Sequence, residues 1–339
     1  MPPSLTSCTT GAVTSGSASL RTNVTAPRAI ASNLRCGPAG WAYPGWNGVV
    51  YPRGAGGQFR PLEFLARFFD VCEVNRTFYQ PIRPEVAKFW MAQVSANPRF
   101  LFTVKLGRRF THERSLDAAE IATFKDGIRP LHRAKKLGCV LMQFPWTFRF
   151  TEENRDFLIR LRRWFREFSL VVEMRHASWM REEPLGVLID NHLGFCNIDQ
   201  AAYTKAMPPT ALLTSGVGYV RLHGRNPNDW EQEFGRGDEG TAARKPTARH
   251  DYLYTPEELA AWKQRIGAIG CLATHMFVIA NNDAGGKSVV NALRLSAILG
   301  DSRRSAPAEL IRRYPEALAQ FHADSPVQRE LFAESGRAA

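Results

Sequence analysis

From residue 35 onward the chain repeats one alternation: a short apolar run rich in strand formers, then a longer stretch with helical spacing. The short runs fall at 35–40, 71–75, 100–105, 138–143, 170–175, 194–199, 217–223 and 276–281. Helix-period stretches occupy 61–70, 84–96, 117–136, 152–168, 183–192, 256–269 and 286–299. Two of these open with proline followed by glutamate, Pro84-Glu85 and Pro256-Glu257, which suits a first helical turn. Strands that alternate with helices pair in parallel through right-handed crossovers. Eight such units in roughly 270 residues match the size of a closed (β/α)8 barrel. The expected fold is therefore α/β and TIM-barrel-like, with an open doubly wound sheet as the alternative. Residues 200–216 hold Pro208 and Pro209 and little helical period, so the helix between strands six and seven is expected to be degenerate.

Composition narrows the setting. Of 339 residues, 44% are hydrophobic and 22% charged, which is globular usage. No window approaches eighteen uninterrupted apolar residues, so no membrane-spanning helix is expected. Residues 1–34 are rich in Ser, Thr, Ala and Gly and precede the first acid, Glu63; they read as a disordered extension. The barrel domain is expected over 35–300, and a C-terminal helix with a flexible tail over 301–339. The 44 Lys+Arg exceed the 32 Asp+Glu by 12, which raises the question of polyanionic partners. Only nine of those basic residues are Lys and none forms a run of five, so a solvated basic surface explains the charge as well as a nucleic-acid face does. The six cysteines contain no C-x-x-C pair. Buried, reduced thiols in a cytoplasmic compartment are expected rather than a thiolate zinc site.

Polarity enters the strands at one end. Five of them close on polar residues two apart: Glu73-x-Asn75, Thr103-x-Lys105, Glu173-x-Arg175, Asn197-x-Asp199 and Arg221-x-His223. Side chains at i and i+2 share a face of a strand. If that face is the barrel interior, the carboxyl ends carry Glu73, Glu173, Asp199, Lys105, Arg175, Arg221 and His223, with Gln143 and Asn281 completing the ring. Barrel enzymes place their chemistry on this rim. Lys105, Arg175, Arg221 and His223 form an anion-receptive set, because arginine offers a planar fork to phosphate or carboxylate. Glu73, Glu173, Asp199 and His223 are the candidates for acid/base catalysis, with His112 and His176 as further imidazoles. The same four would suit a divalent metal bound by hard oxygens and one imidazole, although no local ligand motif demands one. A self-paired network of these charges, plugging the barrel without catalysis, is the structural alternative. The loop Asn281–Ser288, which opens a helix, is either a phosphate-binding turn or a plain helix cap. Trp41, Tyr43, Trp46, Tyr51, Phe78, Tyr79, Trp146 and Trp179 follow the same strand ends. They can wall a sugar or base, or cap the barrel hydrophobically.

These residues carry a family resemblance. Gly40-Trp41-x-Tyr43-Pro44-x-Trp46, Glu73-x-Asn75-x-Thr77-Phe78-Tyr79, Phe102-Thr103-x-Lys105, Gln143-Phe144-Pro145, Glu173-x-Arg175-His176-x-x-Trp179, Arg221-x-His223-Gly224 and Asn281-Asn282 through Asn291-Ala292 occur in order. The chain resembles the domain-of-unknown-function 72 family, also called YecE-like, from about residue 36 to 296. The resemblance implies a TIM-barrel-like fold and no established activity. The N-terminal extension and an apparent insertion near 231–249 depart from the family pattern.

Three functional readings follow. The first is a barrel hydrolase or isomerase for a small polar substrate, phosphorylated or sugar-like, bound by Asn75, Tyr79, Lys105, Gln143, Arg175, His176, Arg221 and Asn281. The second is a DNA-repair-associated protein that binds or processes nucleic acid. It rests on the tail Gln328-Arg329-Glu330-Leu331-Phe332, which resembles peptides that dock on the bacterial sliding clamp through Gln328, Leu331 and Phe332. The third is a non-catalytic scaffold.

Overall fold

A computed structural model describes residues 33–202, 204–226 and 250–324 of the chain. The expectations for the N-terminal extension, the insertion near 231–249 and the clamp-like peptide fall outside these residues, apart from Asn33 and Leu34. Eight parallel strands form one sheet: β1 (Leu34–Pro38), β2 (Val71–Val74), β3 (Leu101–Lys105), β4 (Leu137–Gln143), β5 (Leu170–Glu173), β6 (Leu193–Asp199), β7 (Val217–Leu222) and β8 (His275–Ala280). Their order is β1-β8-β7-β6-β5-β4-β3-β2. The two ends meet at the carboxyl side, where Ala39 bridges Glu73 and the Gly40 amide donates to the Glu73 carbonyl at 2.8 Å. The result is a nearly closed TIM-like barrel.

The connections are helical, as the sequence period requires. In chain order they include α1 (Pro61–Leu65), α2 (Arg76–Tyr79), α3 (Pro84–Gln93), α4 (Arg108–Thr111), α5 (Ala118–Arg133), α6 (Glu152–Trp164), α7 (Glu182–Asp190), α8 (Pro256–Gly270), α9 (Lys287–Ile298) and α10 (Ala308–Arg313). Local chemistry fixes the starts. Asp117 accepts from the Glu120 amide at 2.8 Å, and Thr255 with Glu258 forms a reciprocal capping box. Each long helix then lays an apolar stripe on the sheet, such as Ile121, Phe124, Ile128 and Leu131 on α5. The connection after β6 carries no helix among the described residues, and residues 207–214 run along the outside of β6 instead.

Small residues admit two close approaches inside the barrel. A Cβ on Gly37 would lie 2.0 Å from the Val71 carbonyl oxygen, so glycine lets β1 come against β2. A Cβ on Gly138 would lie 2.5 Å from the Phe277 ring, which crosses the interior from β8. Residues 301–324 pack onto the barrel, with Leu310, Leu318 and Phe321 joining Trp46, Val50, Val289 and Leu293 in one apolar cluster. No helix among the described residues is long and apolar enough to cross a membrane.

Candidate active site at the carboxyl rim

The register decides which side chains enter the barrel. Glu73 lies beside Thr103, Gln143 beside Glu173, and Cys196 beside Tyr219. Glu73, Thr103, Gln143, Glu173, Tyr219 and Arg221 thus point inward on one stretch of wall, with Arg175 and His223 above them. All eight are buried.

They form a single charge network. Arg221 donates to Glu73 at 2.7 Å and to Glu173 at 2.6 Å. Arg175 Nε lies 2.7 Å from the other Glu173 oxygen, and His223 Nε2 lies 3.2 Å from that same oxygen. Tyr219 supports the base of the network, its hydroxyl 2.8 Å from Glu73 and 2.9 Å from Thr103. Desolvating these ions costs several kcal/mol each, so they persist because they face one another. Burial alone would push Glu173 up, yet the Arg175 and Arg221 guanidiniums hold it well below the usual carboxylate range. Burial would likewise lower Arg221, but Glu173 and Glu73 hold it well above its ordinary value. Burial, with Arg175 alongside, pushes His223 well down. Its tautomer follows from its neighbours: the Asn281 amide nitrogen, 3.0 Å from Nδ1, can only donate, so the proton of the neutral ring sits on Nε2, facing Glu173.

Above this layer the mouth is half-exposed. Lys105 stands 3.8 Å over the Phe78 ring, and Asn75, Trp41, Trp146 and Asn281 are part-buried around it. Tyr79 is 69% exposed. His176 occupies the β5 side. Its Nδ1 accepts from the Ser178 amide at 3.1 Å, so Nε2 carries the hydrogen, and that buried Nε2–H has no hydrogen-bond partner among the described residues. Burial, then Arg149 and Lys205 nearby, lowers the His176 pKa and keeps the ring neutral. His112 bonds Thr111 at 2.9 Å and packs edge-on against Phe78.

Asp199 does not join the others. Cys196 and Ile198 are the β6 residues in register with Tyr219 and Arg221, so they face inward while Asn197 and Asp199 face out. Asp199 takes a bidentate bond from Arg225 at 2.7 and 2.6 Å and another from the Trp262 indole on α8. Asn197 bonds Thr210 and the Leu212 amide in the segment that replaces the missing helix. The expectation of four converging acid/base or metal-binding groups is corrected accordingly. Among the described residues no three His, Cys, Asp or Glu side chains are grouped to hold a metal. Arg221 stands between Glu73 and Glu173, where such an ion would need to be.

Other expectations divide. Trp46, Tyr51, Phe78 and Trp179 are buried caps of the barrel, whereas Trp41, Tyr43, Tyr79 and Trp146 retain surface at the mouth. The 281–288 loop is a packed helix cap. Asp283 and Gly285 carbonyls receive Trp46 and Tyr314, and Lys287 pairs with Asp251. Tyr219 and Arg225 were not anticipated. Tyr219 continues the inward series Arg221, His223 two residues back, which is a legible signal; nothing in the sequence marks Arg225 as the partner of Asp199.

A family model described as "Protein of unknown function DUF72" matches residues 35–315. The UPF0759 protein YunF of Bacillus subtilis is 27% identical over 277 residues, spanning 78% of this chain and 93% of that protein. Among solved structures, a DUF72 family protein from Thermotoga maritima is 28% identical, with a TM-score of 0.66, over 79% of this chain and 99% of that one. A second, from Enterococcus faecalis, has the same TM-score at 23% identity and covers 79% and 96% of the two chains.

Proposed function

The chain belongs to the DUF72 family, which has no assigned activity, and from that premise we propose that the carboxyl mouth of its barrel is the active site of a hydrolase or isomerase. The substrate is small, polar and anionic, phosphorylated or sugar-like. One observation carries this reading. The buried layer is electrically closed, two carboxylates (Glu73, Glu173) against two guanidiniums (Arg175, Arg221), and above it Lys105 stands over the Phe78 ring while Arg149 and Lys205 lie beside His176. Cations placed above a neutral floor favour an anion.

In this reading Lys105 and Arg175 hold the anionic group, while Asn75, Tyr79, Gln143 and Asn281 orient the polar remainder. The His176 Nε2–H donates to an acceptor oxygen of the substrate and, as a neutral imidazole, polarises it as an electrophile. His223, with its proton facing Glu173, is the second imidazole within the site. Glu73 and Glu173 act through the cations they fix in place, and Asp199 does the same for Arg225. Aromatic edges at Trp41, Tyr79 and Trp146 suit a sugar ring.

The test is calorimetric titration of a panel of pentose and hexose phosphates into the full chain, its Lys105→Met variant and its His176→Ala variant. Saturable binding of at least one compound, weakened roughly tenfold or more by each substitution, is expected for the loss of a charge-assisted bond. Binding that survives both substitutions would remove the proposal.

A further inference from the structure

At the opposite end of the barrel a cleft of about 670 Å³ opens, lined among others by Arg35, Arg67, Asp70, Arg99, Asp301 and Arg303. It arises from the way the sheet closes. β1 and β2 bond only at their carboxyl ends, through Ala39, Gly40 and Glu73. Gly37 lies against Val71, the first residue of β2, so Arg35 sits below the point where β2 begins and has no strand beside it on that edge. The seam is filled by charge instead. Arg303 donates to both Asp70 oxygens at 2.9 and 3.0 Å and to Asp301 at 2.7 Å, and Arg99 donates to Asp70 at 3.1 Å.

That filling leaves two cations outside its ion pairs. Asp70 and Asp301 are both bonded by Arg303, and Asp70 also by Arg99. Arg35 gives its Nε–H to the Arg99 carbonyl at 3.2 Å, and its buried Nη1 has no hydrogen-bond partner among the described residues. Lys136 stands close by, donating to the Asn97, Pro98 and Phe100 carbonyls at 3.5, 2.9 and 3.1 Å. Elsewhere on the lining Arg67 pairs with Asp324, and Glu63 lies 3.9 Å from Arg60, so among the described residues the cations at this seam without an ion pair are Arg35 and Lys136. Burial and the neighbouring Arg99 lower the Arg35 pKa, and burial and Arg35 lower that of Lys136. A purely structural seam would pair its charges, as Arg303 does with Asp70 and Asp301; Arg35 feels Asp70 without bonding it.

We propose that this cleft is a second binding site, for the phosphate group of a small phosphate ester or polyphosphate. The volume lies within the roughly 300–1,000 Å³ of small-molecule sites. The Arg35 fork, with the exposed side of Arg99, receives the phosphate oxygens, and Lys136 contributes charge behind them.

The experiment is calorimetric titration of inorganic pyrophosphate into the full chain at constant ionic strength, with Arg35→Gln, Arg99→Gln and, as a control at the other end of the barrel, Lys105→Met. The site that persists in Lys105→Met should weaken about tenfold in each of the other two variants, the loss of one charge-assisted bond, and any further site that Lys105→Met abolishes belongs to the carboxyl mouth. That pattern does not depend on whether the carboxyl mouth also binds. Should Arg35→Gln fail to fold, Arg99→Gln decides alone, since that side chain is 54% exposed and its removal spares the core. Absence of saturable binding in the wild type, or wild-type binding in the folded variants at Arg35 and Arg99, overturns the proposal.

Discussion

At the scale of single residues, Glu173 holds the barrel's polar floor together. It meets Arg175, Arg221 and His223 at once, with no exposed surface. Removing one member of a buried pair leaves its partners charged and desolvated. Glu173→Gln is therefore expected to lower unfolding stability by roughly 3–5 kcal/mol in urea denaturation. A loss below about 1 kcal/mol would mean that water already reaches the network. His223 adds a pH dependence. Its folded pKa lies well below the ordinary 6.5, so the unfolded chain takes up a proton that the folded ring refuses. Its contribution is complete above that value and is lost as the pH falls below it. Glu173, also depressed, adds its own loss only below its ordinary 4.5. Between pH 6.5 and 4.5 the fall in urea midpoint should thus be shallower in His223→Gln than in the wild type. An unchanged slope would show that other groups set it.

At the scale of elements, the strands and long helices were legible because period and caps agree with burial. The expected helix at 117–136 is α5, Ala118–Arg133, started by Asp117 and lined by four apolar residues at helical spacing. The short α2 and α4 were not legible, since a four-residue helix carries no period. The facing of β6 was misread for a physical reason. Asn197 and Asp199 look like the polar ends of other strands, yet their partners come from α8, Arg225 and the helix-less 207–214 segment, none of which strand spacing reveals. Element packing also sets a mutational expectation. Gly138→Ala would drive a methyl into Phe277, an overpacking that costs about 1–3 kcal/mol. Phe277→Leu should relieve part of it, so a double-mutant cycle should give a favourable coupling between the two substitutions. Strict additivity would mean the ring does not cross to β4.

At the scale of the molecule, the two ends of the barrel solve different problems. The carboxyl end closes by hydrogen bonds between β1 and β2 and carries an internally balanced floor beneath a cationic mouth. The amino end closes by ion pairs and leaves Arg35 and Lys136 outside them among the described residues. The inward convergence of Glu73, Glu173, Arg175, Arg221 and His223 could be read from i, i+2 spacing alone. That they pair with one another stood there as the alternative reading, and which groups meet could not be read, because it depends on strand stagger around the barrel. That pairing moves the proposed chemistry from the carboxylates to the mouth above them. The most direct test of that proposal is turnover, followed by NMR, of sugar phosphates incubated with the full chain and with Lys105→Met and Arg35→Gln. The account predicts that at least one compound is converted, that Lys105→Met abolishes the conversion and that Arg35→Gln retains it. Conversion that persists in Lys105→Met, or compounds that bind at the mouth and return unchanged, would contradict it.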